Sequence, residues 1–146
     1  MTQTEEEAKE IEDALAIMFS AHYGQRDKAG LPAVLHPMRV GLAGKTHGER
    51  VGGFLHDTLE DSSTSVDQLR SLLKAEHVDA IIALTKRHGE SYITYLTRVK
   101  ENKLARAIKL NDIADNSSPF RLNKLPAEER DRLFKKYTEA YNFLKI

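Results

Sequence analysis

The sequence predicts an all-α domain, and three observations carry that prediction. Apolar residues recur at spacings of three and four, capping signals precede several of these runs, and no segment alternates as a half-buried strand does. With 146 residues, the chain is close to one domain at a prior of roughly 150 residues each. We therefore expect a single unit over 1–146, large enough to close a hydrophobic core without a cofactor.

The elements follow in order. Ile11, Leu15, Met18 and Phe19 mark a first helix, and Glu5, Glu6 and Glu7 suit the positive end of its dipole as a solvated start. The helix should weaken at Tyr23 and Gly24, giving the loop GQRDKAGLPAVL. Pro37 then opens the next helix in its first turn, with His36 at the mouth. Thr46 and Glu49 form a capping-box pattern that predicts a helix through Phe54, His56 and Leu59, ended by SSTS. Gly52 and Gly53 inside it imply close packing.

A further helix should start near Ser65 with Leu69, Leu72 and Leu73, and the next carries Val78, Ile81, Ile82 and Leu84. Arg87 to Glu90 reads as a turn. Helical spacing resumes over Tyr92 to Lys100 and Leu104 to about Asn116, and Pro126 precedes a final helix holding Leu133, Phe134, Tyr137, Tyr141 and Leu144. Core closure is the first reading of that last stripe, and a homo-oligomer contact the second.

Composition excludes whole classes of function. The chain has no cysteine, which rules out disulfide scaffolds, thiolate nucleophiles and thiolate-ligated zinc. Its 22 Lys and Arg balance 22 Asp and Glu, so no net positive field draws in nucleic acid or an anionic membrane. The N-terminus lacks a basic region followed by an apolar run, and nothing approaches a membrane span, which makes the cytoplasm the expected location.

The chemistry concentrates in FLHDTLED. On a continuous helix His56, Asp57, Glu60 and Asp61 would project from one side within an arc of about 140°. A solvated helix face is the plain reading. However, Phe54, Leu55 and Leu59 make this helix apolar enough to be buried, and an inward His-Asp pair needs a partner to offset desolvation. A divalent cation is the economical one, and imidazole with carboxylate suits manganese, iron or zinc. His36 and Asp112 are candidates for the remaining ligands, although Asp112 also reads as an ordinary hydrogen-bond acceptor in a buried helix. His47, His77 and His88 lack companion motifs and read as surface or helix-end residues. Core packing is the first reading of Tyr92 and Tyr95.

AHYGQRDKAGLPAVLHPMRV, HDTLED and IKLNDIADN, in this order, resemble the successive motifs of HD-domain metal-dependent phosphohydrolases, specifically the RelA/SpoT-type alarmone hydrolases. Their pattern runs approximately AHxGQxRKxGxPYxxHPxxV, HDxxED and KLADxxxN, and the resemblance covers roughly residues 20 to 121. It implies a compact HD-domain helical bundle. It also implies that His36, His56, Asp57 and Asp112 hold one divalent cation, typically Mn2+, with Fe2+ or Zn2+ as lesser choices. Glu60 and Asp61 match the acidic pair that positions or deprotonates water. Asn116 matches an asparagine near the sugar and phosphate, Lys28 matches a phosphate contact, and Arg26 stands one residue from the usual Arg position. His22 matches the histidine of AHxGQ and is expected in a supporting shell.

Departures bear on the substrate. Asp27 occupies the family's Arg position, where a guanidinium can lie against a purine, and Ala33 replaces an aromatic residue. The resemblance implies hydrolysis of a nucleotide 3′-diphosphate such as ppGpp or pppGpp to GDP or GTP plus pyrophosphate. Other nucleotides, including an adenine alarmone or NADPH, remain an alternative, as does a non-catalytic, metal-stabilised helical interaction module. Nothing after residue 146 leaves room for a synthetase domain, so a stand-alone hydrolase is expected.

Overall fold

A computed structural model describes residues 1–146. The chain is all-α, as predicted, and its only β-type pairing is an isolated bridge between Arg26 and Pro32. In order, the helices are α1 (Gln3–His22), α2 (Leu35–Leu42), α3 (His47–Leu55), α4 (Thr58–Asp61) and α5 (Val66–Leu72). They continue with α6 (Ala75–Ala83), α7 (Tyr92–Glu101), α8 (Lys103–Asn116), α9 (Pro119–Leu122) and α10 (Ala127–Lys145).

Local chemistry sets most of the boundaries. Thr2, Thr46, Ser65, Ser91 and Asn102 each accept a backbone N–H of the following helix through the side chain, satisfying a donor that the first turn leaves free. Asn102 also terminates α7, so α7 and α8 meet at one residue. The expected capping box at Thr46 forms from the Thr46 side, while Glu49 reaches the backbone N–H of Lys45.

Two predictions need correction. The helix drawn through Leu59 breaks: His56 caps α3 and Asp57 precedes α4, with a turn between them. His56 and Asp57 therefore do not share one continuous helix face with Glu60 and Asp61. The last helix buries Leu133, Ala140 and Leu144, but Phe134 and Tyr141 are 57% and 43% exposed, so the stripe closes the core with only part of its width. The short helix α9, opened by Pro119, lacked enough length to produce a readable period.

The core has two lobes. One gathers Ala14, Met18, Val51, Leu55, Leu69 and Ile81, and the other gathers Leu84, Leu96, Val99, Ile108, Ile113 and Leu144. Between them α2 and α3 approach backbone to backbone. A Cβ on Gly53 would stand 2.7 Å from Gly41 Cα, and one on Gly41 would stand 2.1 Å from the Phe54 ring. This closeness brings the mouth of α2 against the end of α3, where the two candidate histidines lie.

Candidate metal centre

Four of the predicted residues converge. His36 is the second residue of α2, His56 ends α3, Asp57 starts the turn into α4, and Asp112 comes from the buried middle of α8. Asp112 Oδ1 lies 2.8 Å from His36 Nε2 and 3.2 Å from His56 Nε2. Asp57 Oδ2 lies 3.1 Å from His56 Nε2 and 3.8 Å from His36 Nε2. The two imidazole rings stand edge to face with centroids 5.1 Å apart.

The other ring nitrogens explain the orientation. His56 Nδ1 is 2.7 Å from the carbonyl of Gly53, which can only accept, so Nδ1 must carry a proton. In the neutral ring Nε2 is then a lone pair, and it faces carboxylate oxygens of Asp57 and Asp112. Acceptors crowded in a buried place need positive charge between them. Either an added proton or a cation answers that need. Burial opposes protonation of His56, yet Asp57 and Asp112 outweigh it and hold the ring's pKa well above its usual value. Burial likewise opposes ionisation of Asp112, but Lys109 and His56 draw its carboxyl well below the carboxylate range.

Two imidazole nitrogens with two carboxylates, and no thiolate, are a donor set that fits a divalent cation. Asp112 offers Oδ1 to this centre while its Oδ2 takes the Lys109 ammonium at 2.7 Å, and Asn116 Nδ2 donates to Oδ1 at 3.0 Å.

A cavity of about 660 Å³ opens from the centre, lined by His36, Asp57, Asp112, Glu60, Lys86 and Lys136, among others. Glu60 accepts the backbone N–H of Lys86, and burial pushes its carboxyl pKa upward, aided by Asp57 and Asp61. Burial and the Asp57 charge raise the Asp61 carboxyl as well. The main chain of Asp61 is tied to the first loop, where Gln25 Nε2 donates to its carbonyl at 2.7 Å. His22 holds Gln25 from behind at 2.9 Å.

The predicted phosphate contacts lie elsewhere. Arg26 and Lys28 line an adjoining cavity of about 320 Å³ together with Arg39, Arg121 and Lys124. Lys28 Nζ forms an ion pair with Glu129 at 2.8 Å. Asn116 and Tyr137 line both cavities and form the wall between them. Asp27 turns back on its own loop, accepting the N–H groups of Ala29 and Leu31, each at 2.9 Å.

Sequence reading missed several contributors. Asp115 takes His36 Nδ1 at 2.6 Å and is clamped by Arg39 at 2.7 and 3.1 Å; Arg121 approaches Asp115 and Asn116. One turn of helix separates Asp112 from Asp115, and that spacing was the available signal. Tyr92 and Tyr95 do pack, as expected, but both also line the cavity. His77 is buried rather than superficial, and Glu10 is buried beside it.

No family model matches the sequence. The chain is 26% identical, over 92% of its length, to a guanosine-3′,5′-bis(diphosphate) 3′-pyrophosphohydrolase of Aquifex aeolicus, and 30% identical over 92% to one of Borreliella burgdorferi. It spans about a fifth of the length of these curated relatives, 21% and 22% respectively. A protein of Myxococcus xanthus named GTP pyrophosphokinase is 28% identical over 90% of the chain and 19% of its own length. Among solved structures, one described as a metazoan ortholog of SpoT that hydrolyzes ppGpp superposes with a TM-score of 0.70 at 22% identity, covering 90% of this chain and 85% of that one. Along about nine-tenths of its length the chain is similar to relatives named guanosine-3′,5′-bis(diphosphate) 3′-pyrophosphohydrolase, and it shares the fold of the solved SpoT ortholog.

Proposed function

We propose that the chain is a metal-dependent hydrolase of a nucleotide 3′-diphosphate, ppGpp or pppGpp, releasing pyrophosphate and leaving GDP or GTP. The observation that carries this reading is the meeting of His36, His56, Asp57 and Asp112 beside Glu60, in a cavity that shares Asn116 with a cation-lined neighbour. The relatives' names support the substrate. Manganese is the proposed ion, as the resemblance implies; two imidazoles and two carboxylates suit it, and iron or zinc as well.

When bound, such an ion lowers the pKa of water and polarises a phosphoryl oxygen. The remaining work falls to the protein. Water adds to the phosphorus next to the ribose 3′-oxygen, the P–O3′ bond breaks, and the 3′-oxygen takes up a proton as pyrophosphate leaves. Glu60 or Asp61 accepts the proton from water, a role to which their raised pKa values are suited. Lys86 and Lys136 line the cavity where diphosphate charge would accumulate. Arg26, Lys28 and Asn116 are assigned to the nucleotide's other phosphates and sugar; Lys28 must first leave Glu129. No helix is long and apolar enough to cross a membrane.

Asp27 favours keeping a second reading. Its carboxylate is committed to its own loop and presents no guanidinium to a purine, so an adenine alarmone or NADPH belongs in the assay beside ppGpp. Manganese-loaded protein should release pyrophosphate from ppGpp, detected by phosphorus NMR. Orthophosphate from NADPH would instead support the second reading. A folded, metal-loaded sample that turns over neither nucleotide would favour a non-catalytic interaction module and sink the proposal.

A further inference from the structure

A second group of ligating side chains sits away from the His36 centre. Glu10 comes from α1, His47 opens α3, and His77 lies on α6. Glu10 Oε1 is 2.7 Å from His47 Nε2, and Glu10 Oε2 is 2.8 Å from His77 Nδ1. Glu10 and His77 are buried, at 5% and 3% exposure, while the His47 side chain keeps 17%. The two rings stand edge to face with centroids 5.4 Å apart.

We propose that Glu10, His47 and His77 form a second site for a zinc-class divalent cation, independent of the first. Two imidazole nitrogens and one carboxylate are a set that zinc takes at about 2.0–2.2 Å, leaving a fourth position for water. Oxygen-preferring magnesium and calcium suit it less. The cation takes the place of the hydrogens that join each imidazole to Glu10: each neutral ring carries its proton on the other nitrogen and turns its lone pair to the ion.

The surroundings have the features of a supported ligand set. The backbone N–H of Lys74 donates to Glu10 Oε2 at 2.8 Å and fixes the carboxylate. Glu76 Oε1 lies 3.7 Å from His77 Nε2, the nitrogen turned away from Glu10, too far for a hydrogen bond but close enough to place a negative charge beside the ring. The exposed edge of His47 gives access, and a shallow cavity beside Glu10, reaching Lys9, Asp13 and Ser71, gives another route. A bound ion would cross-link three helices. His47 opens α3 and His56 caps it, so the rise of the helix separates these two residues by roughly 13 Å along its axis.

The test is metal stoichiometry on the full chain, dialysed free of metal, titrated with Zn2+ and analysed for bound metal after desalting. Wild type should hold about two equivalents, and His47→Gln and His36→Gln should each hold about one. His47 is partly exposed, so its replacement should spare the fold; circular dichroism checks this. If the wild type holds one equivalent that His36→Gln loses and His47→Gln keeps, the proposal is overturned. One equivalent lost only by His47→Gln would support this site and count against the His36 centre instead.

Discussion

His36 Nδ1 and Asp115 Oδ2 lie 2.6 Å apart, and this contact turns the opposite nitrogen of the ring toward Asp112, 2.8 Å away. Asp115 is itself held by Arg39, so the imidazole is oriented by a chain of charged hydrogen bonds that starts outside the centre. Burial opposes ionisation of Asp115, but its bonds to His36 and Arg39 hold the carboxyl at about 2.

The first prediction follows from that chain. Asp115→Asn keeps the shape of the side chain and removes its charge, so the ring is less firmly set and less basic. Manganese affinity should fall about 10- to 100-fold, with the helix content unchanged. Titration followed by electron paramagnetic resonance of free Mn2+ measures it. Unaltered affinity would remove Asp115 from the support of the centre.

The second prediction separates Glu60 from Asp61 as the proposed proton acceptor. Replacing the true base by its amide should reduce kcat about 10²- to 10⁴-fold while metal affinity stays as in wild type. Glu60→Gln and Asp61→Asn are therefore compared side by side. Both carboxyls are raised by burial, so the acid side of the rate profile should lie above the ordinary carboxylate range, with activity rising as the base loses its proton. An acid limb at or below the usual carboxylate range would contradict the assignment of either residue.

Much of this architecture was legible because helical period and capping are local. Thr46, Ser65 and Pro126 mark helix starts that the structure contains, and the H, HD, D order anticipates the convergence of His36, His56, Asp57 and Asp112. Tertiary choices were not legible. Period says that α1 is amphipathic, but not that Glu10 lies buried against His77, sixty-seven positions along the chain. Residue type makes Lys28 a phosphate ligand, but not a partner of Glu129 on α10. The break at His56 and Asp57 also escaped, because apolar spacing continues through Leu59 while the backbone turns.

Gly53 supplies the third prediction, because it spaces the two histidine-bearing helices. A methyl group there would come within 2.7 Å of Gly41 Cα, a backbone atom that cannot swing aside. Gly53→Ala should push α2 from α3 and cost about 1–3 kcal/mol in overpacking. Urea denaturation reads the stability. Metal titration reads the separation of His36 from His56, and affinity should fall with stability. A variant with wild-type values of both would mean that the helices absorb the methyl without moving.

The last prediction concerns acid stability. Arg98 holds the Glu90 carboxylate and also donates to the carbonyl of Thr85 at 2.9 Å, fastening the 85–91 turn to α7. The hydrogen bond from Arg98, with the Arg87 backbone N–H, draws the Glu90 pKa down to about 2 from 4.5. A carboxyl lowered in the folded state binds protons more tightly when unfolded, so its contribution to stability is full above 4.5 and fades as pH falls toward about 2. Glu90→Gln should therefore be less stable than wild type at neutral pH and converge with it on acidification. Thermal unfolding of both proteins across that pH window checks the convergence. A difference in Tm that stays constant down to the acid end would mean that the pair acts through packing, with charge contributing nothing.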